Sequence, residues 1–174
     1  MNYILIYNNN FNENYLFKMD SDFEKYRNLY PMFLDYEWFG IDIDGNISCF
    51  TNGGEGPIPL NIIKKRPEYD GAKVLISDLP IRGEYKLFFD VPRQDYAIKR
   101  ASQGLYTYDW FDVHRINNKI NMYEIWSKPS NPLKINDLSS EILKLIGEIR
   151  FPIRFSDYRK IEVSKYFICA KDFC

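Results

Sequence analysis

Between Tyr36 and Phe50 the chain alternates in steps of two about a central Gly45-Asn46 pair, with Trp38, Ile41 and Ile43 before it and Ile47, Cys49 and Phe50 after it. Alternation of period two sends successive side chains to opposite faces of a strand, and Gly-Asn supplies the positive φ values of a tight hairpin. The segment therefore predicts a hairpin over 38–50. Directly after it, Thr51-Asn52-Gly53-Gly54-Glu55-Gly56-Pro57-Ile58-Pro59 places three glycines and two prolines in nine residues. Neither a ladder nor a helix continues through such a stretch, so a shaped loop follows the hairpin. The remainder of the chain has to be built around a sheet.

The rest of the sequence agrees with that demand. Thirteen Phe, 14 Tyr and three Trp stand among the 174 residues, and Ala occurs at 72, 97, 101 and 170 alone, which tilts intrinsic propensity toward strands. Tyr3–Tyr7 reads as a first strand stopped by three asparagines. Ser21, Asp22 and Glu24 carry a capping signature for a helix over 22–30. Leu60–Lys65 predicts a helical turn, Val74-Leu75-Ile76 a buried strand and Tyr85–Asp90 another strand. Pro92 opens a helix through Tyr96, Ile98 and Ala101 that Gly104 stops. A second hairpin spans 106–126, with Asn117-Asn118 at its turn. Asn136 or Asp137 caps a helix whose Leu138, Ile142, Leu145, Ile146 and Ile149 share one stripe, giving a helix over 137–149. Ile161 to Ala170 alternates as a final strand. Residues 1–174 are thus expected to form a single α+β domain, a mainly antiparallel sheet with flanking helices.

Composition narrows the classes of function. With 45% hydrophobic and 27% charged residues the chain has globular composition. Residues 1–70 carry 11 acidic and six basic residues, a net −5, and residues 71–174 carry 13 and 17, a net +4. The longest basic cluster is Lys64-Lys65-Arg66, too little for a nucleic-acid stripe, so no direct nucleic-acid partner is expected. No 18-residue apolar run and no signal-peptide pattern occur, so the expectation is a cytoplasmic protein with no membrane partner. Cys49, Cys169 and Cys174 are too few and too scattered for a disulfide framework or zinc knuckle and read as free thiols.

Several residues offer chemistry. Asp42-Ile43-Asp44-Gly45-Asn46 has its glycine at position 4, where a calcium loop of the EF-hand type needs it at position 6. The same string resembles the D-x-D opening of haloacid-dehalogenase phosphotransferases, in which Asp42 would be the nucleophile. Asn46 departs from the Thr or Val expected there, and no later G-D-x-x-x-D supplies the magnesium carboxylates. Asp42 and Asp44 otherwise read as turn residues. The Gly53-Gly54-Glu55-Gly56 loop lacks the Lys-Ser/Thr ending of a phosphate loop. His114 is the sole histidine, which excludes a two-histidine metal site, and beside Arg115 it reads as a surface or satisfied core residue. No catalytic residue, metal site or cofactor is therefore assigned. Two candidate partner-binding features remain. One is the acidic edge of Asp35, Glu37, Asp42, Asp44 and Glu55, which contains no Lys or Arg among its members and would attract a basic surface. The other is the aromatic cluster of Tyr106, Tyr108, Trp110 and Phe111, either core or interface anchors.

The stretch from Trp38 through Gly45-Asn46 to Gly53-Gly54-Glu55-Gly56-Pro57-Ile58-Pro59 resembles a pattern in small bacterial immunity proteins. Gly104-Leu105-Tyr106-Thr107-Tyr108-Asp109-Trp110, Tyr123, Pro129, Pro132-Leu133 and Leu138 share it. These proteins belong to polymorphic toxin and contact-dependent growth inhibition systems. The resemblance implies a cytoplasmic protein that binds and neutralises a cognate toxin domain, encoded beside the toxin, by protein–protein association and without turnover. On that basis Asp42, Asp44 and Glu55 would supply complementary charge, and Tyr106, Tyr108 and Trp110 the apolar anchors. The alternatives are a binding or regulatory module with no toxin partner, and a phosphotransferase using Asp42.

Overall fold

The expected hairpin forms from β1 (Glu37–Ile41) and β2 (Ile47–Thr51), paired antiparallel with Trp38 opposite Phe50 and Ile41 opposite Ile47. The computed structural model describes residues 35–90, 92 and 94–169. The strand expected at 3–7, the helix expected at 22–30 and Cys174 lie outside them. Two helices follow, α1 (Leu60–Lys64) and α2 (Arg66–Ser77), then β3 (Tyr85–Leu87), α3 (Asp95–Ser102), β4 (Tyr106–Asp109), β5 (Tyr123–Pro129), α4 (Ser140–Ile146) and β6 (Lys160–Ile161). The sheet runs β1-β2-β4-β5-β3, and β6 pairs with the start of β5. Its pairings are antiparallel except between β2 and β4, which lie parallel across the long connection that carries α1, α2 and α3. The α+β expectation is met.

The register explains why one sheet face is aromatic and the other small and polar. Trp38, Phe50, Tyr108 and Ile125 stand in one row across β1, β2, β4 and β5. The Trp38 and Phe50 rings stack at 4.1 Å, Phe50 and Tyr108 at 5.2 Å, and Phe151 joins at 5.4 Å from Phe50. Trp38, Phe50 and Tyr108 are fully buried, and each ring of this size contributes about 2–3 kcal/mol by leaving water. The next row, Phe39, Cys49, Thr107 and Ser127, faces the other way. There Ser127 Oγ donates to the carbonyl of Ala97 in α3, so small side chains let the helix lie close.

Three expectations need correction. Val74-Leu75-Ile76 is the last part of helix α2, not a strand. Pro67 sits in its first turn, and Tyr69, Ala72 and Ile76 form the buried stripe while Val74 is 63% exposed, so the helical period governs. The helix expected over 137–149 is shorter: Ser139 caps it by accepting from the Ile142 N–H, and a 3-10 turn at Ile135–Asp137 precedes it. The final strand contracts to Lys160–Ile161. Beyond it the chain turns at Val163–Lys165 and brings Tyr166 and Phe167 edge-on to Phe151.

Candidate functional site

Thr51 and Asp109 end the two parallel strands side by side, because the register pairs them directly. Glu37 stands opposite Thr51 on β1. The three side chains leave the sheet on the face that α3 covers, and a cleft of about 830 Å³ opens there. Tyr96 of α3, Trp126 of β5, Lys73 of α2 and His114 complete much of its wall, with Asp35 at the chain's entry into β1. This volume lies in the range of ligand pockets.

Two interlocked loops make the rim. Asn52, fully buried, accepts from the N–H of Tyr36 at 2.7 Å and from that of Gly54 at 3.1 Å, which shapes the glycine-rich loop. Gly56 approaches Trp110 so closely that a Cβ there would lie 2.8 Å from the indole, and Gly53 has a φ of +54° against Val113. The facing loop, 111–122, begins as a 3-10 turn at Phe111–His114. Asp112, fully buried, holds it by accepting from Ile120 N–H, Asn121 N–H and Arg115 Nη1. Burial alone would raise the Asp112 carboxyl; those donors outweigh it and hold it below its usual range. Asn118 and Asn121 adopt φ of +66° and +57°, a conformation kept because Asp112 fixes the neighbouring amides. Lys119 bridges to Glu55 at 3.1 Å and ties the two loops together. Ile116, 95% exposed, lies within the second loop.

The floor divides into a satisfied and an unsatisfied part. Arg100 Nη2 donates to Glu37 Oε2 at 2.8 Å, and its Nε lies 2.6 Å from the other carboxylate oxygen without the alignment of a hydrogen bond. Cys49 Sγ contacts Glu37 at 3.1 Å and Tyr96 Oη at 2.8 Å. Burial, then the Glu37 charge, pushes the Cys49 thiol up, so it stays protonated and unreactive. Asp109 has no lysine or arginine against it among the described residues. Its carboxyl is pushed up to about 6, by burial first and then by Asp35. The Thr51 hydroxyl, the Trp110 amide and His114 act in the opposite sense. Lys73 is engaged elsewhere, 2.7 Å from Asp70 and over the Tyr36 ring. The Trp126 indole N–H is buried and has no acceptor among the described residues. Among those residues no three His, Cys, Asp or Glu side chains group as a metal site would require.

The residues singled out from sequence fall differently. Asp42 is 3% exposed. Its Oδ1 accepts from the N–H groups of Asp44 and Asn46, and its Oδ2 from Asn46 Nδ2 and Phe155 N–H. Four donors leave it no open face for a partner or for attack on phosphorus. Asp44 pairs with Arg154 at 2.8 Å and Glu55 with Lys119. The acidic edge is therefore largely neutralised from within, by cations distant in sequence. Tyr106, Tyr108 and Trp110 are buried at 3%, 0% and 3% exposure. Tyr108 Oη donates to the carbonyls of Phe155 and Tyr158, so these rings are core anchors whose area is unavailable to a partner. Asp109, between Tyr108 and Trp110, was not singled out. Its signal is a lone carboxylate inside an otherwise aromatic strand.

Comparison with family models, with curated proteins and with solved structures returns no match in any of the three.

Proposed function

We propose that this protein acts by association and not by turnover, as a cytoplasmic immunity protein that binds and neutralises a cognate bacterial toxin domain. The observation that carries the reading is the cleft at the carboxyl ends of β2 and β4. Asp35 and Asp109 there have no lysine or arginine partner among the described residues, whereas Glu37, Asp44 and Glu55 each have one. A rim locked by Asp112 and by the Lys119–Glu55 bridge keeps that surface preorganised, which lowers the entropy lost on binding. A buried thiol at Cys49 suits a reducing compartment. Among the described residues no helix is long and apolar enough to cross a membrane.

The test is co-expression with the C-terminal domain encoded immediately upstream. The reading requires that cells survive and that the two chains copurify. Survival without a complex points to enzymatic protection instead. That second reading is favoured by a single observation, a carboxyl group titrating near 6 in a cleft.

A further inference from the structure

The cleft has a recognisable want. It presents two carboxylates with no lysine or arginine against them among the described residues, Asp35 at the mouth and Asp109 deeper, beside the aromatic side chains of Tyr96 and Trp126. A guanidinium is planar, donates to carboxylates through a rigid fork and stacks on aromatic faces, which an ammonium does less well.

Resting on the association reading above, we propose that the cleft receives an arginine side chain projecting from the partner protein. Its guanidinium would be held by Asp109 and Asp35 and would lie against the aromatic side chains of Tyr96 and Trp126. The partner would thus carry an arginine on a protruding loop, and the rigid 111–122 loop would flank it. Neither the acidic hairpin turn nor the aromatic core row takes part. His114 stands on the cleft wall and attracts the Asp109 charge, and the other charged groups nearby are already occupied. Glu37 is bound by Arg100, Lys73 by Asp70, and Glu124, opposite Asp109 on β5, by Arg115 and Lys160.

The experiment is a titration of the full, isotope-labelled chain by nuclear magnetic resonance. The probes are N-acetylargininamide, its uncharged isostere N-acetylcitrullinamide, and N-acetylnorleucinamide. The Trp126 indole signal is identified by its loss in Trp126→Phe. Argininamide should move that signal and the Asp109 amide saturably, with the citrulline compound weaker by about tenfold, the worth of one charge-assisted contact. Asp109→Asn should abolish the preference, and Asp35→Asn, at an exposed position, should reduce it. No shift with argininamide, equal shifts with citrullinamide, or a preference unchanged in both variants overturns the proposal. The two failures are separable. A toxin complex unaffected by Asp109→Asn sinks the arginine assignment and leaves association standing. Arginine binding without any toxin complex does the reverse.

Discussion

Replacing Asp109 by Asn removes a charge while keeping the shape and the oxygen that receives the Thr51 hydroxyl and Trp110 amide. The carboxyl rises from 3.8 to about 6 on folding, so the folded state favours the protonated form. The sign follows directly. Below about pH 3 the group is largely neutral in both states and costs almost nothing. Between about pH 3 and 7 the unfolded chain ionises first, and stability falls as pH rises. Above about 7 the loss is complete and constant. A rise of this size corresponds to about 3 kcal/mol in full, and about 1–3 kcal/mol after allowing for solvent at a half-open cleft. Asp109→Asn should therefore be more stable than the native chain by about 1–3 kcal/mol at pH 7.5, a gap that shrinks to about half a kcal/mol or less at pH 4. Urea unfolding at half-unit steps between those values measures the difference. Parallel curves, or a variant less stable at neutral pH, would refute the reasoning that this carboxylate is held against its solvation preference.

Other outcomes follow from the packing. Phe50→Ala removes the ring that stacks on Trp38, Tyr108 and Phe151 and should cost about 3–5 kcal/mol in denaturant unfolding. Gly56→Ala drives a methyl against the Trp110 indole, 2.8 Å away, and should cost about 1–3 kcal/mol with a shifted Trp110 indole resonance. Asp112→Ala frees the Ile120 and Asn121 amides and leaves the Arg115 guanidinium to Glu124 alone. Limited trypsin digestion should then cut after Arg115 or Lys119 faster than in the native chain, and equal rates would show that the loop has another anchor.

Local signals carried the fold further than the site. The Gly45-Asn46 hairpin, the glycine-rich loop and the helix stop at Gly104 are legible because each rests on backbone conformation that few residues tolerate; Gly45 and Gly104 adopt φ of +81° and +93°. Val74-Leu75-Ile76 misleads because a short apolar run has no period of its own, and only Tyr69 and Ala72 upstream reveal the helical stripe. The parallel pairing of β2 with β4 was illegible, since nothing in either strand encodes its neighbour 58 residues away at Ser48 and Tyr106. That pairing is what creates the cleft. Asp44 and Glu55 looked like free charge for a related reason: Arg154 and Lys119, which neutralise them, are 110 and 64 residues distant. Asp109 escaped notice because its environment, not its neighbours in sequence, makes it unusual.

The most direct measurement is hydrogen exchange on this chain mixed with the proposed partner, the C-terminal domain encoded immediately upstream. Protection gathered on residues 51–57 and 109–122, with the 42–46 turn exchanging as in the free chain, is the predicted footprint. Protection confined to other surfaces, or a toxin domain that leaves every amide unchanged, would contradict it.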